Sequence, residues 1–401
     1  MRERMLRFLS ASERVWWVTG ALSPPFIITL VIEGCELEPE ALQEAVARAA
    51  AANPGAQAML RSGLRRQRWV HGDRPPIVRR LSAPSQPGML EGPAGLDGAP
   101  CIEVAVAPRS AVVFRVHHAL MDGRGLYHFA EEVFRSLRGE PLLGGADHLT
   151  ESQLELAPSI SPRGVDLRRF VAATGLHQGA IQPVWGRRRV EGVWHDLLPR
   201  VANGVLRFAR ESACDAPVRF HIPVDLRRYA GQKSTSNLTG VISIDPKPGA
   251  GVAEIAAELT EKLATDEALR WVARVKMVEK LPLWLLRLGG KKKVKAAVST
   301  SRFNATAILS NLGRVERGSF CAPGFEPQRI YWLPPCGPAT AAAFGIIGDA
   351  LGVELTVVLP VGLASEGRLD RLLDAVVDEL NAHRQSTAAS PGAATVPAVS
   401  R

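Results

Sequence analysis

The chain has 401 residues, room for one large or two medium domains with real cores, and its 46% hydrophobic and 22% charged residues are ordinary globular values. They exclude a disordered chain, except from Ser386, where STAASPGAATVPAVSR has no apolar period and reads as a loose tail over 386–401. The net charge of +9 admits an anionic partner or a solvated basic surface, but with 6% aromatics and no recognisable motif, nucleic acid is not expected.

The opening MRERMLRFLSASERVWWV is basic but lacks the apolar centre of a secretion signal. PFIITLVIEG, residues 25–34, predicts a strand, rich in β-branched residues and closed by glycine. ALQEAVARAAAANPGAQAML begins as a helix that Pro54 ends. RRQRWVHG and PPIVRRL predict short strands, and residues 82–99, dense in Pro and Gly, a loop. CIEVAVAP and SAVVFRV form an expected hairpin around Pro108-Arg109-Ser110, and LYHFAEEVFRSLRG an amphipathic helix stopped by Gly139. Residues 140–190 are poor in pattern and are expected to be a crossover between halves.

The second half starts with the helix HDLLPRVANGVLRFARES, the strands VRFHIPVDL and TGVISIDP, and one helix over AEIAAELTEKLATDEAL. LPLWLLRLGGKKKVKAAV predicts a core-packed helix with a solvated basic end; lining an apolar tunnel or touching a membrane surface are its alternatives. AILSNLG, TAAAFGIIGDALGVELTVVL and GRLDRLLDAVVDEL close the chain as strand, strands and helix. Aligning Gly367 with Gly123, an offset of 244, lays VELTVVL on SAVVFRV, the closing helix on LYHFAEEVFRSL, and Glu366 on Asp122. The two histidine positions become Val361 and Gly362, so the pattern reads as two copies of which the second has lost its reactive residues.

Cys35, Cys101, Cys214, Cys321 and Cys336 are dispersed, odd in number and without CxxC spacing, which fits a reduced, cytoplasmic setting. The longest apolar runs are too short to span a bilayer. The basic residues fall in short clusters, Arg65, Arg66 and Arg68, then Arg187 to Arg189, then Lys291 to Lys293 with Lys295. Each reads either as solvated surface or as a patch for phosphate or an acidic protein.

The chemistry concentrates in VHHALMDGRG, residues 116–125. A metal site would need His118 and Asp122 on one helical face. A strand runs up to Val116, Gly123 and Gly125 interrupt any early helix, and no third ligand stands at a telling spacing, so no metal is expected. A structural reading ends the strand at His117 and His118 and makes Asp122 the N-cap of the next helix. Two imidazoles, an acid and a glycine at a strand-to-helix turn also make a compact polar group that a ligand can approach.

HHALMDG resembles the HHxxxDG motif of the CoA-dependent acyltransferase superfamily, which includes chloramphenicol acetyltransferase, the dihydrolipoyl acyltransferases, plant acyltransferases, wax ester synthases and the condensation domains of nonribosomal peptide synthetases. RFLSASERVWW resembles the opening of condensation-like proteins, HIPVDLRRY the segment that supplies an arginine to the motif's aspartate, and TAILSNLGRV the strand that presents an oxyanion-stabilising serine. The resemblance implies an α/β (α+β two-layer) sandwich, a pseudo-dimer of two chloramphenicol-acetyltransferase-like subdomains with an active-site tunnel between them. The subdomains would span 1–165 and 166–385. It further implies His118 as general base, Ser310 as oxyanion donor, and a salt bridge from Asp122 to Arg227 that, with His117, holds the loop. Gly123 would leave room for pantetheine or nucleophile, and Asn311 and Gly313 would shape the strand end or line the tunnel.

Thioester acyl transfer needs a base for the acceptor proton, and imidazole titrates near operating pH. It also needs a donor for the carbonyl oxygen as that oxygen becomes negative. The expected activity is transfer of an acyl group from acyl-CoA or an acyl-phosphopantetheine carrier protein to a hydroxyl or amine of a small-molecule acceptor. No permanently bound cofactor, a monomer and no membrane contact are expected. The alternatives are a non-catalytic carrier-binding module and a wax-ester-type enzyme on a membrane surface. Lys233-Ser234-Thr235-Ser236-Asn237 resembles the Ser-Thr-Ser of carnitine acyltransferases but stands elsewhere in the chain, and reads as a turn. His128 and His221 read as packed or surface histidines. The chain is shorter than a typical condensation domain, and the second half lacks the DFGWG of the plant branch.

Overall fold

The computed structural model describes residues 4–383 apart from 23–25, 36, 62–66, 82–99, 108–110, 147, 161, 163–167, 177–178 and 214–215. The loop expected over 82–99, the turn at 108–110, the tail, Arg65, Arg66, Cys214 and the boundary after 165 lie outside the described residues.

The first third contains β1 (Met5–Phe8), α1 (Ala11–Leu22), β2 (Ile27–Glu33), α2 (Pro39–Ala52), β3 (Ala58–Arg61), β4 (Arg68–His71), β5 (Val78–Arg80), β6 (Ile102–Ala107), β7 (Ala111–His117) and α3 (Gly123–Leu137). The middle contains β8 (Phe170–Val171), β9 (Pro183–Glu191), α4 (Leu197–Ala213), β10 (Phe220–Asp225), α5 (Arg227–Ala230), β11 (Thr239–Ile244), α6 (Val252–Ala264), α7 (Glu267–Lys276) and α8 (Leu283–Thr300). The last part contains β12 (Arg302–Phe303), β13 (Ala307–Arg314), β14 (Arg329–Leu333), β15 (Ala343–Gly348), β16 (Gly352–Pro360), α9 (Val361–Ala364) and α10 (Arg368–Ala382).

Two mixed sheets dominate: a five-stranded one in the order β14-β2-β7-β6-β5 and a six-stranded one in the order β11-β10-β13-β15-β16-β9. Helices α2 and α3 share the core of the first sheet, and α4, α6, α7 and α10 that of the second. The fold is thus the expected α/β class. β14 comes from late in the chain yet pairs antiparallel with β2, so the five-stranded sheet draws on both ends of the sequence.

The β7 sequence AVVFRVH is buried along its whole length because both faces of the sheet are covered. Val112, Phe114 and Val116 join the main core, while Ala111 and Val113 pack with Val31 and Tyr331 on the other side. Arg115 is tolerated inside because Glu103, directly opposite on β6, meets it at 2.8 Å.

Four expectations are corrected. Residues 183–191, placed in the crossover, form the nine-residue strand β9, paired with β16 along its full length. Its arginines are not a free anion patch: Arg187 meets Glu33 and Glu354, Arg188 meets Asp370 and Asp374, and Arg189 meets Asp349 and Glu354. The helix expected through 253–269 is two, α6 and α7, broken at Thr265, which leaves helical geometry. α8 is not core-packed, since Ala297 alone of its eighteen residues is buried.

Ser10 and Glu13 cap α1 reciprocally, each side chain accepting from the other's backbone N–H. Glu13 is fully buried and held by Arg7 at 2.6 Å through both carboxylate oxygens. Glu151, also fully buried, accepts from the Ser12 N–H at 2.9 Å. Burial, then the charge of Glu13, pushes the Glu151 carboxyl up to about 7. Between the ordinary value of 4.5 and about 7 the folded protein therefore holds a proton that the unfolded chain has lost, and stability falls as pH rises through that window. Glu151→Gln removes this loss. Denaturant titrations should show its stability relative to the parent rising by up to about 1.4 kcal/mol per pH unit across the window; a pH-independent difference would contradict the assignment.

Candidate active site

The motif occupies the turn from β7 to α3. The His117 backbone closes the sheet, donating to the Cys101 carbonyl, and the His118 N–H donates to Phe26. His117 turns inward, 2% exposed, and its Nδ1 accepts from the Ala119 N–H at 3.1 Å. Burial, then the neighbouring His118, pushes its imidazole down to about 3. α1 comes close here because residue 20 is glycine: a Cβ would stand 2.5 Å from His117 Nε2. His117 is thereby held neutral and out of solvent.

His118 differs. Its ring lies between Trp16, stacked at 4.9 Å and 13°, and Phe26 at 5.5 Å, yet the residue keeps some exposure. Nδ1 stands 3.1 Å from the Met121 carbonyl, which can only accept, so Nδ1 carries the proton and Nε2 the lone pair. Burial lowers the His118 pKa, against the Met121 carbonyl and Asp122, which raise it. A neutral imidazole of fixed tautomer results.

Asp122 is buried and caps α3, its Oδ1 accepting from the Gly125 N–H at 2.7 Å. Arg227 meets both its oxygens, at 2.9 and 3.1 Å, and the Leu238 N–H and the Thr239 hydroxyl donate to Oδ2 at 2.8 Å each. Burial raises the Asp122 pKa, but Arg227 and these donors outweigh it and hold the carboxyl below its ordinary range. With both oxygens committed, Asp122 has no lone pair aimed at a metal beside His118. Arg227 also donates to the Ser234 and Ser236 carbonyls and to Asp225. Its placement at the start of α5 therefore ties the motif to residues 225–239.

Gly123 keeps some exposure, but the direction a side chain would take from it is occupied. A Cβ there would stand 3.2 Å from Leu312 and 3.5 Å from the Trp332 ring, so the missing side chain is filled by the core between the sheets. The tighter constraint is Gly125, where a Cβ would fall 2.1 Å from the Thr235 carbonyl oxygen.

Ser310 lies in β13, in register with Gly345 of β15, which is in register with Thr356 of β16. Residues so aligned project from the same sheet face. The Thr356 hydroxyl donates to the Trp332 carbonyl at 2.6 Å, so this face meets β14 of the other sheet. Ser310 therefore faces the five-stranded sheet, on the side where Trp332 touches Gly123. It makes no hydrogen bond to His118 or to any other described residue through its hydroxyl. Asn311 is exposed and accepts from the Gly313 N–H at 2.7 Å, and Gly313 has φ +78°, so the pair shapes a bulge at the strand end. Beyond it opens a cleft of about 510 Å³ lined by Arg314 to Arg317, Ala350 and Leu351.

No family model matches the sequence, and no curated protein matches it either. Solved structures do match in fold. A variant of the starter condensation domain of rhizomide synthetase RzmA, in complex with C8-CoA and Leu-SNAC, superposes with a TM-score of 0.66 at 13% identity, covering 94% of this chain and 95% of that one. Polyketide synthase associated protein 5 from Mycobacterium tuberculosis gives 0.61 at 16% identity, covering 94% and 98%. TRI101 of F. sporotrichioides, complexed with coenzyme A and T-2, gives 0.59 at 13% identity, covering 92% and 99%. The chain has a condensation-domain fold.

Within this condensation-like fold, the structure brings His117, His118, Asp122, Gly123 and Arg227 together and sets Ser310 on the facing sheet. It also adds residues that the sequence reading missed. Trp16 and Phe26 hold the His118 ring, and Asn237 donates to the His118 and Ala119 carbonyls at 3.0 and 3.1 Å. The segment Ser234 to Asn237, read as a turn, is buried against the motif. Four consecutive polar residues, Ser234 to Asn237, starting nine positions after Asp225, were the available signal. His128 packs with Nε2 on the Gly144 carbonyl at 2.9 Å, and His221 lies in β10 paired with Ser243.

Among the described residues, no group of three or more His, Cys, Asp or Glu side chains is placed to hold a metal. No described helix is long and apolar enough to cross a membrane.

Proposed function

We propose that this protein transfers an acyl group from a thioester to the hydroxyl or amine of a small-molecule acceptor, with His118 as general base. The observation that carries the reading is the contact of His118 Nδ1 with the Met121 carbonyl: that carbonyl accepts from Nδ1–H, which leaves Nε2 as the base on a residue that keeps some exposure. Nε2 takes the acceptor proton as the acceptor attacks the thioester carbonyl. The tetrahedral oxyanion accepts from the Ser310 hydroxyl, the C–S bond breaks, and the departing thiolate takes the proton from His118. Asp122 and Arg227 hold the turn and do not touch the reacting atoms.

Acyl-CoA or an acyl-phosphopantetheine carrier protein is the donor, in keeping with the coenzyme A ligands named for two fold neighbours. We further propose two chloramphenicol-acetyltransferase-like subdomains, over 1–165 and 166–385, with a tunnel between them and with β14 of the second completing the sheet of the first. Incubating the purified chain with acyl-CoAs, acyl carrier proteins and candidate acceptors, read by mass spectrometry, tests the reaction class. An ester or amide product with free thiol supports it; thioester left intact across the panel contradicts it. Ser310→Ala should lower kcat by roughly 10²–10³ with little change in KM. An unchanged kcat would remove the serine from the mechanism.

A further inference from the structure

α8 covers little and is covered by little. Of fourteen large apolar side chains exposed among the described residues, five fall between positions 277 and 288: Met277, Leu281, Trp284, Leu285 and Leu288. Scattered exposed apolar residues need no explanation, but a contiguous group does. Trp284 is 66% exposed, an unusual place for an indole in water.

The same helix continues into Arg287, Lys291, Lys292, Lys293 and Lys295, and residues 281–300 contain no acidic side chain. At roughly 100° per residue, Trp284, Leu288, Lys291, Lys292 and Lys295 lie on its outer side. Gly290 marks the inner side, seated on Val18 and Leu22 of α1. The outer face is therefore apolar over its first turns and basic beyond them.

We infer that this face docks on an anionic lipid surface. The apolar end, with its tryptophan, suits the boundary between headgroups and acyl chains, and the lysines suit anionic headgroups beside it. Lysines are flexible point charges, matched to a mobile layer of phosphates more than to fixed carboxylates on a protein partner. With no described helix able to span, the contact is taken as peripheral. The approach to α8 is also fixed: Arg14 of α1 donates to the Val278, Glu279 and Leu281 carbonyls. α1 carries Trp16 against His118, so the docking face is one helix away from the motif. The inference goes beyond the acyl-transfer reading and does not depend on it.

Co-sedimentation at low salt tests it, using vesicles of phosphatidylcholine alone or mixed with phosphatidylglycerol. The parent protein should pellet with the anionic vesicles and stay in solution with the neutral ones. The triple variant Lys291→Gln, Lys292→Gln, Lys295→Gln should partition roughly a hundredfold less. Trp284→Ser with Leu288→Ser should abolish binding, and both variants should keep the parental melting temperature because every altered side chain is exposed. Quenching by brominated lipid, compared between the parent and the conservative Trp284→Phe, reads the contact without a disruptive change. Failure of the parent to bind anionic vesicles overturns the inference, as does equal binding by both variants. Capture of an acidic carrier protein through the same lysines, with no vesicle binding, also overturns it and makes the face a protein-docking surface.

Discussion

Replacing His118 with alanine should lower kcat for the proposed acyl transfer by on the order of 10²–10⁴, the usual contribution of a positioned general base. KM moves little, because the imidazole acts on a proton in transit more than on bound substrate. Some turnover above the uncatalysed rate persists, since oxyanion stabilisation and binding survive the loss of a base. The fold also survives: Asp122, Arg227 and Asn237 still hold the turn through its backbone and the α3 cap. Unchanged thioester consumption by this variant, with acceptor present, contradicts the assignment and returns the fold to a carrier-binding role.

Asp122→Ala should produce the largest loss of stability in the motif. It strips five hydrogen bonds from a buried site and leaves Arg227, with its side chain 15% exposed, facing no carboxylate except Asp225 at the rim. Breaking a buried pair from one side costs about 3–5 kcal/mol, more than the pair itself is worth. Chemical denaturation should place Asp122→Ala well below His118→Ala. Arg227→Ala in addition to Asp122→Ala should cost much less than it does alone, since the two side chains share one network. Equal midpoints for the two single variants would contradict the structural role of the carboxylate.

The motif was legible in the sequence because its parts are local. The β-branched apolar run of β7, the N-capping Asp122 and the amphipathic α3 follow one another within twenty-seven residues, and each has a compositional, capping or periodic signal. Arg227 and Ser310 were reached through resemblance to other chains; nothing in their spacing alone marks them. The contacts around His118 were hidden for a different reason. Trp16 and Asn237 meet it across about a hundred residues or more on either side, and such tertiary contacts leave no period to read. Gly123 stood out in the motif, but Gly125 is the glycine on which another backbone rests, a fact set entirely by residue 235.

β9 was missed because its signal is inverted. Three consecutive arginines look like a solvated loop until Glu33, Asp349, Glu354, Asp370 and Asp374, all distant in sequence, neutralise them. For α8 the apolar run predicted burial, and the chain supplies too little to cover it.

The pH dependence of kcat/KM tests His118 as the base most directly. Burial lowers the His118 pKa from 6.5, so the neutral base is fully present at neutral pH and is lost only as pH falls through the lowered value. With His118 as the base, kcat/KM should show a one-proton acidic limb with its midpoint below 6.5, absent from the residual activity of His118→Ala. A midpoint at or above 6.5, or the same limb in the alanine variant, would contradict that role.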